Sequence, residues 1–248
     1  MNNLRPQFRR GIGLKFLLAA MATIGLTCAS FLQPILHTMQ QGGAFQQGYH
    51  EELITTALSA DMLSAFLPVL AAIPMSAGYL DDVKSKFARF FIIRVGYTRY
   101  LVSIFLACYT LGGAVILIGT LSTYGITTLV FLPLERVVEN SPDLGMQIVQ
   151  QFSIPFLNGG LWAVVGMTMS TIMESKYIAY AFPFIIYYLL IILYERYFPN
   201  AWVLYPKNWL NPEIWPYGMG SATLFLLELT FLCGLVFYVR GKRRLEQL

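Results

Sequence analysis

Long apolar runs alternate with short polar connections along the whole chain. Set against the ~20 residues that a membrane helix needs, the pattern predicts six spans, at 13–36, 57–78, 100–132, 157–174, 177–197 and 219–239. The third is 33 residues long, which predicts a strong tilt or a break near Gly112-Gly113 or Gly125. No repeat or low-complexity tract is visible, and the connections are too short to hold a separate soluble domain. The expected fold is therefore all-α: one polytopic membrane domain covering residues 1–248.

Composition agrees with that pattern. Apolar residues make up 56% and charged residues 12%, where a soluble domain carries roughly 25% charged. Mean hydropathy is +0.59. Cys28, Cys108 and Cys233 each fall inside an apolar run, which predicts packed thiols rather than a disulfide framework. Arg9 and Arg10 precede an apolar run reaching LTCASF, the layout of a secretion signal. The run continues through Phe31 and Leu32 to Leu36, so the reading is a retained first helix.

Charge then orients the spans. With both termini inside, the inner segments hold Arg5, Arg9, Arg10 and Lys15, then Lys84, Lys86, Arg89, Arg94 and Arg99, then Lys176, then Arg240, Lys242, Arg243 and Arg244. That is 14 of the 17 basic residues, leaving Arg136, Arg196 and Lys207 outside. Such asymmetry follows the positive-inside rule. The outer connections carry acids (Glu51, Glu52, Glu135, Glu139, Asp143) and, over 198–218, Trp202, Tyr205, Trp209, Trp215 and Tyr217. Those rings suit the headgroup level, as anchors or as an outer cap.

One interval fits neither pattern. Residues 79–105, YLDDVKSKFARFFIIRVGYTRYLVSIF, are too polar to cross a bilayer and too apolar for a linker. At 100° per residue, Val83, Phe87, Phe90 and Phe91 share one face, with Ser85, Lys86 and Arg89 opposite and Lys84 at the edge. Asp81 and Asp82 stand at the amino end, where acids suit the dipole and cap free donors. The expectation is one short amphipathic helix over 81–95, ended by Gly96. It either floats on anionic headgroups or is offered to a soluble protein.

The six-span layout with this segment between spans two and three resembles the type-2 permease subunits of ATP-binding-cassette exporters. So does Arg94-Val95-Gly96-Tyr97-Thr98-Arg99-Tyr100-Leu101 running straight into the next span. The resemblance implies that the segment is a coupling helix seated in a groove of a separate cytoplasmic ATPase. Asp81, Asp82, Lys84, Lys86, Phe87, Arg89, Phe90, Phe91, Arg94 and Arg99 would make that contact. It further implies two ATPase copies carrying ATP and Mg, a second permease chain (identical or paralogous), and a bacterial plasma membrane with both termini cytoplasmic. Among small stand-alone permeases, those expelling antimicrobial peptides look most similar, so the implied cargo is such a peptide or another amphipathic compound.

Other chemistry is sparse. Gly42-Gly43, Gly112-Gly113 and Gly159-Gly160 lack the lysine and strand context of a phosphate loop, so no nucleotide site or catalytic residue is expected on this chain. His37, His50 and Glu51 lack metal-ligand spacing, and no metal is expected. Nothing suggests nucleic acid as a partner. Asp61 and Glu228 are the acids inside apolar runs and the candidate translocation-path residues. Glu174 and Lys176 flank a very short inner turn, a second ATPase contact or simply a tight hairpin. Three other readings stay open: a proton- or ion-coupled secondary transporter using Glu228, a membrane-embedded enzyme, and a non-transporting immunity or scaffold subunit. The first predicts two related halves and the second clustered catalytic groups; neither is visible.

Overall fold

The computed structural model describes residues 4–40, 48–134, 144–211 and 214–247. Among them it holds eleven α-helices and no strand. In chain order these are α1 Leu4–Gly11, α2 Leu14–Ser30, α3 Leu32–Gln40, α4 Tyr49–Ser59, α5 Asp61–Ala72, α6 Gly78–Lys84, α7 Phe87–Val95, α8 Tyr97–Phe131, α9 Leu144–Met173, α10 Lys176–Ile192 and α11 Met219–Glu246. Five stretches are long and apolar enough to cross a membrane: Leu14–Thr38, Tyr97–Leu134, Phe152–Met173, Lys176–Tyr197 and Met219–Glu246.

The expected second span is the exception. The apolar run 57–78 is divided between the end of α4 and the 12-residue α5. Ala60 is extended (ψ 136°) and breaks the helix on one side, while Pro74, which removes a backbone donor, follows the end of α5. The third span departs the other way. Despite its glycines, α8 runs 35 residues without a break. Gly112 and Gly113 serve close packing there: a Cβ on Gly112 would lie 2.3 Å from the Ala163 Cβ and 3.0 Å from the carbonyls of Ala71 and Gly159. Helices α5, α8 and α9 meet backbone to backbone at that point, as small residues allow in membrane bundles.

α8 and α9 run antiparallel, since Gly113 meets Phe156 while Gly160 meets Tyr109. α9 begins at Leu144, well before the expected 157, so part of the supposed outer loop is helix. The two-residue turn Glu174-Ser175 then reverses the chain into α10. α2 lies along α8 through a buried Thr27–Thr123 hydroxyl contact of 2.7 Å. The core is continuous from Phe16 through Leu67, Ile104, Ile116, Trp162 and Leu226 to Phe237.

Beyond α10 the chain makes 3₁₀ turns at Trp202–Leu204 and Pro206–Leu210. The tryptophans there pack inward more than an anchor role requires. Trp209 is buried, stacked on Trp162 at 5.6 Å, and Trp215 is buried against Trp202 and Phe225. Tyr217 remains exposed. Glu135, Arg136, Glu139 and Asp143 lie outside the described residues.

Candidate functional site

The interval 79–105 folds as two helices, not one. Lys86 adopts a left-handed conformation (φ 62°) between α6 and α7, so Val83 and Phe87 do not share a helix face. The amino-terminal acids do not cap either: no side chain caps α6, and both carboxylates turn to other helices.

Asp82 is fully buried. It is ion-paired with Arg10 of α1, and the Tyr100 hydroxyl of α8 donates to its Oδ2 at 2.8 Å. Asp81 pairs with Lys176 at the start of α10. Tyr79, on the same short helix, donates to the Gly241 carbonyl of α11 at 3.0 Å and packs edge-on against Phe237. Burial holds the Tyr79 phenol above its ordinary range, opposed by the Arg244 charge and assisted by Glu174. Lys84 donates to the Glu174 carbonyl at 3.1 Å. Arg244 pairs with the Glu174 carboxylate at 3.1 Å and reaches the Thr171 carbonyl. Glu174 sits at φ 57°, a left-handed conformation unusual for a residue with a side chain, and these two contacts pin it. Seven residues of α6 thus reach α1, α8, the α9–α10 turn, α10 and α11.

α7 points the other way. Ala88 is buried, and Phe91 packs on Tyr100 at 5.6 Å. The opposite face leaves Phe90 75% and Ile93 86% exposed, with Phe87 at 47%. Lys86, Arg89, Arg94 and Arg99 are exposed around them and form no ion pair with a described residue. The predicted residues therefore divide. Asp81, Asp82 and Lys84 hold α6 in the bundle, Phe91 bridges, and Lys86, Phe87, Arg89, Phe90, Arg94 and Arg99 face away. Ile93 joins the exposed set and Arg10, Tyr79 and Arg244 the inner one. No spacing rule points to Arg10 or Arg244, because each meets its partner across about seventy residues of chain (Arg10 with Asp82, Arg244 with Glu174).

The two acids of the apolar runs, Asp61 and Glu228, are not brought together. Asp61, 86% exposed at the start of α5, is ion-paired with Lys207 of the Pro206–Leu210 turn. Burial there favours a neutral Lys207 amine, but the bonds to Asp61 and Tyr205 outweigh it and raise its pKa. Glu228 is exposed on the outer face of α11. Among the described residues no three His, Cys, Asp or Glu come together as a metal site; the side chains of His50 and Glu51 lie outside the described set.

Comparison with models of known protein families, with curated proteins and with solved structures finds no match to this chain.

Proposed function

We propose that this chain is the membrane-embedded permease subunit of an ATP-driven exporter, and that α6 and α7 are its coupling element. The observation that carries the reading is the division of labour between those two helices. α7 presents Phe90, Ile93 and Phe87 amid basic groups that ion-pair with no described residue, a composition suited to a groove with an acidic rim on a soluble partner. α6, directly joined to it, is tied by ion pairs and hydrogen bonds to five other parts of the bundle. A push on α7 would therefore reach α1, α8, α10, α11 and the α9–α10 turn through α6.

In this reading α4 and α5 together make a sixth crossing, the basic end faces the cytoplasm, and the membrane is the bacterial plasma membrane. ATP and Mg sit on two copies of a separate ATPase, and a second permease chain completes the path. The cargo is an antimicrobial peptide or similar amphipathic compound.

Detergent extraction of the tagged chain, with Phe87→Asp/Phe90→Asp beside the wild type, tests this. An ATPase that co-purifies with the wild type and is lost from a folded double variant supports coupling. A folded wild type that brings down no ATPase sinks the reading and leaves α7 as a helix lying on the membrane surface.

A further inference from the structure

Between α8 and α11 lies an apolar groove of about 260 Å³. Leu101, Val102 and Phe105 of α8 form one wall, and Phe231, Leu235 and Tyr238 of α11 the other. Gly234 is the floor, where Phe105 lies so close that a Cβ would stand 2.7 Å from its ring. Shape limits what can lie in this groove. From Phe231 to Tyr238 is seven residues, about 10 Å along the helix and so roughly two-thirds of one ~15 Å leaflet. About 260 Å³ over that length leaves a slot about 5 Å across. A helix is ~10 Å across and would run the whole ~30 Å of the bilayer. A single hydrocarbon chain meets both limits.

The chemistry changes at one mouth. There the exposed hydroxyls of Thr98 and Tyr238 meet at 3.2 Å, and whichever accepts has its own proton free to donate outward. They stand where both apolar runs end, at 100 and 239, and so at headgroup level. Arg99 follows Thr98, Lys242 lies one turn beyond Tyr238, and both are exposed. Arg99 ion-pairs with no described residue, and Lys242 has Glu246 at 3.9 Å. Two cations, a free hydroxyl proton and one acid leave the mouth positive and rich in donors, which suits phosphate oxygens.

We infer that the groove holds one phospholipid with an anionic headgroup, from the leaflet on the basic side of the bundle. Its acyl chain lies in the slot, and its phosphate meets Arg99, Lys242 and the hydroxyl pair. A zwitterionic headgroup brings its own cation to a mouth already positive, so it is held less well. Arg99 then serves the membrane rather than the ATPase. Binding needs only this chain and lipid, so it is tested without the ATPase.

The test is native mass spectrometry of the full-length chain, purified in detergent with equimolar dioleoyl phosphatidylglycerol and dioleoyl phosphatidylcholine. One lipid should stay bound, phosphatidylglycerol over phosphatidylcholine by roughly tenfold, about what one or two cations near a surface are worth. Arg99→Gln/Lys242→Gln should bring that ratio close to one. Arg5→Gln/Arg9→Gln, which removes two exposed cations of α1 that are no part of the groove, should leave it unchanged. Val102→Trp, at a position 44% exposed, should fill the slot and cut retention of both lipids. Leu235→Trp, 51% exposed on the opposite wall, serves if the first variant does not fold. No retained lipid, equal retention of the two lipids by the wild type, an equal loss in the Arg5/Arg9 variant, or undiminished retention in a folded groove-filling variant would each overturn the inference.

Discussion

Asp82 is fully buried between Arg10 and Tyr100, so Asp82→Ala strands a cation and a hydroxyl together. Removing one partner of a fully buried pair costs about 3–5 kcal/mol. Arg10 is 41% exposed and can regain water, so a loss of about 2–3 kcal/mol is expected, read as a lower unfolding temperature in detergent. Tyr79→Phe removes only the bond to Gly241 and should cost about 1 kcal/mol. pH acts on the same residue. Tyr79 and Lys207 both hold their protons more tightly in the folded chain than in the unfolded one. Their stabilisation is therefore intact below the unfolded values of about 10 and declines as pH rises beyond them. Thermal unfolding followed at about pH 8 and about pH 11 should show that decline, and Tyr79→Phe should show a shallower one.

At the scale of elements, Lys86 is where the sequence pattern misled. The wheel over 81–95 is sound for a continuous helix, but a left-handed residue at 86 resets the phase. Periodicity carries no signal for such a break when the residue is not glycine. Lys86→Gly should consequently be neutral or stabilise by up to ~1 kcal/mol, whereas Lys86→Val should destabilise by a similar amount. The glycine pair in α8 raises the same ambiguity. Glycines in a long apolar run signal either a break or a close approach, and the neighbours that decide, Ala71, Gly159 and Ala163, lie on other helices. Gly112→Leu should fail to pack and cost at least about 1–3 kcal/mol, checked by the folded yield in detergent.

At the scale of the whole molecule, the helical class and five long apolar helices follow directly from hydrophobic run length, because a bilayer imposes that length. What was not legible is which polar residues turn inward. Asp81 and Asp82 are neighbours in sequence and reach α10 and α1 respectively, and Glu228 gives no sequence hint that it faces out. Helix rotation is set by partners scattered through the chain, and one sequence does not reveal them. If α7 is the docking element, a charge on its outward face should abolish ATPase binding at little cost to the fold. Ile93→Asp, 86% exposed in the wild type, is expected to unfold within ~0.5 kcal/mol of it while losing co-purification.

The length of α8 has a mechanical consequence. Its 35 residues make a rod of about 52 Å. A tilt of ~40° fits only about 39 Å into the hydrocarbon layer, so some two turns project beyond it. The tightest backbone contacts, at Gly112 and Gly113, fall close to the midpoint of this rod. A rod gripped at its centre is a lever with a fulcrum. A swing of about 10° displaces each end by about 4–5 Å in opposite directions, so a small push beside Gly96 would emerge at Phe131, at the other end of the rod, with its sense reversed.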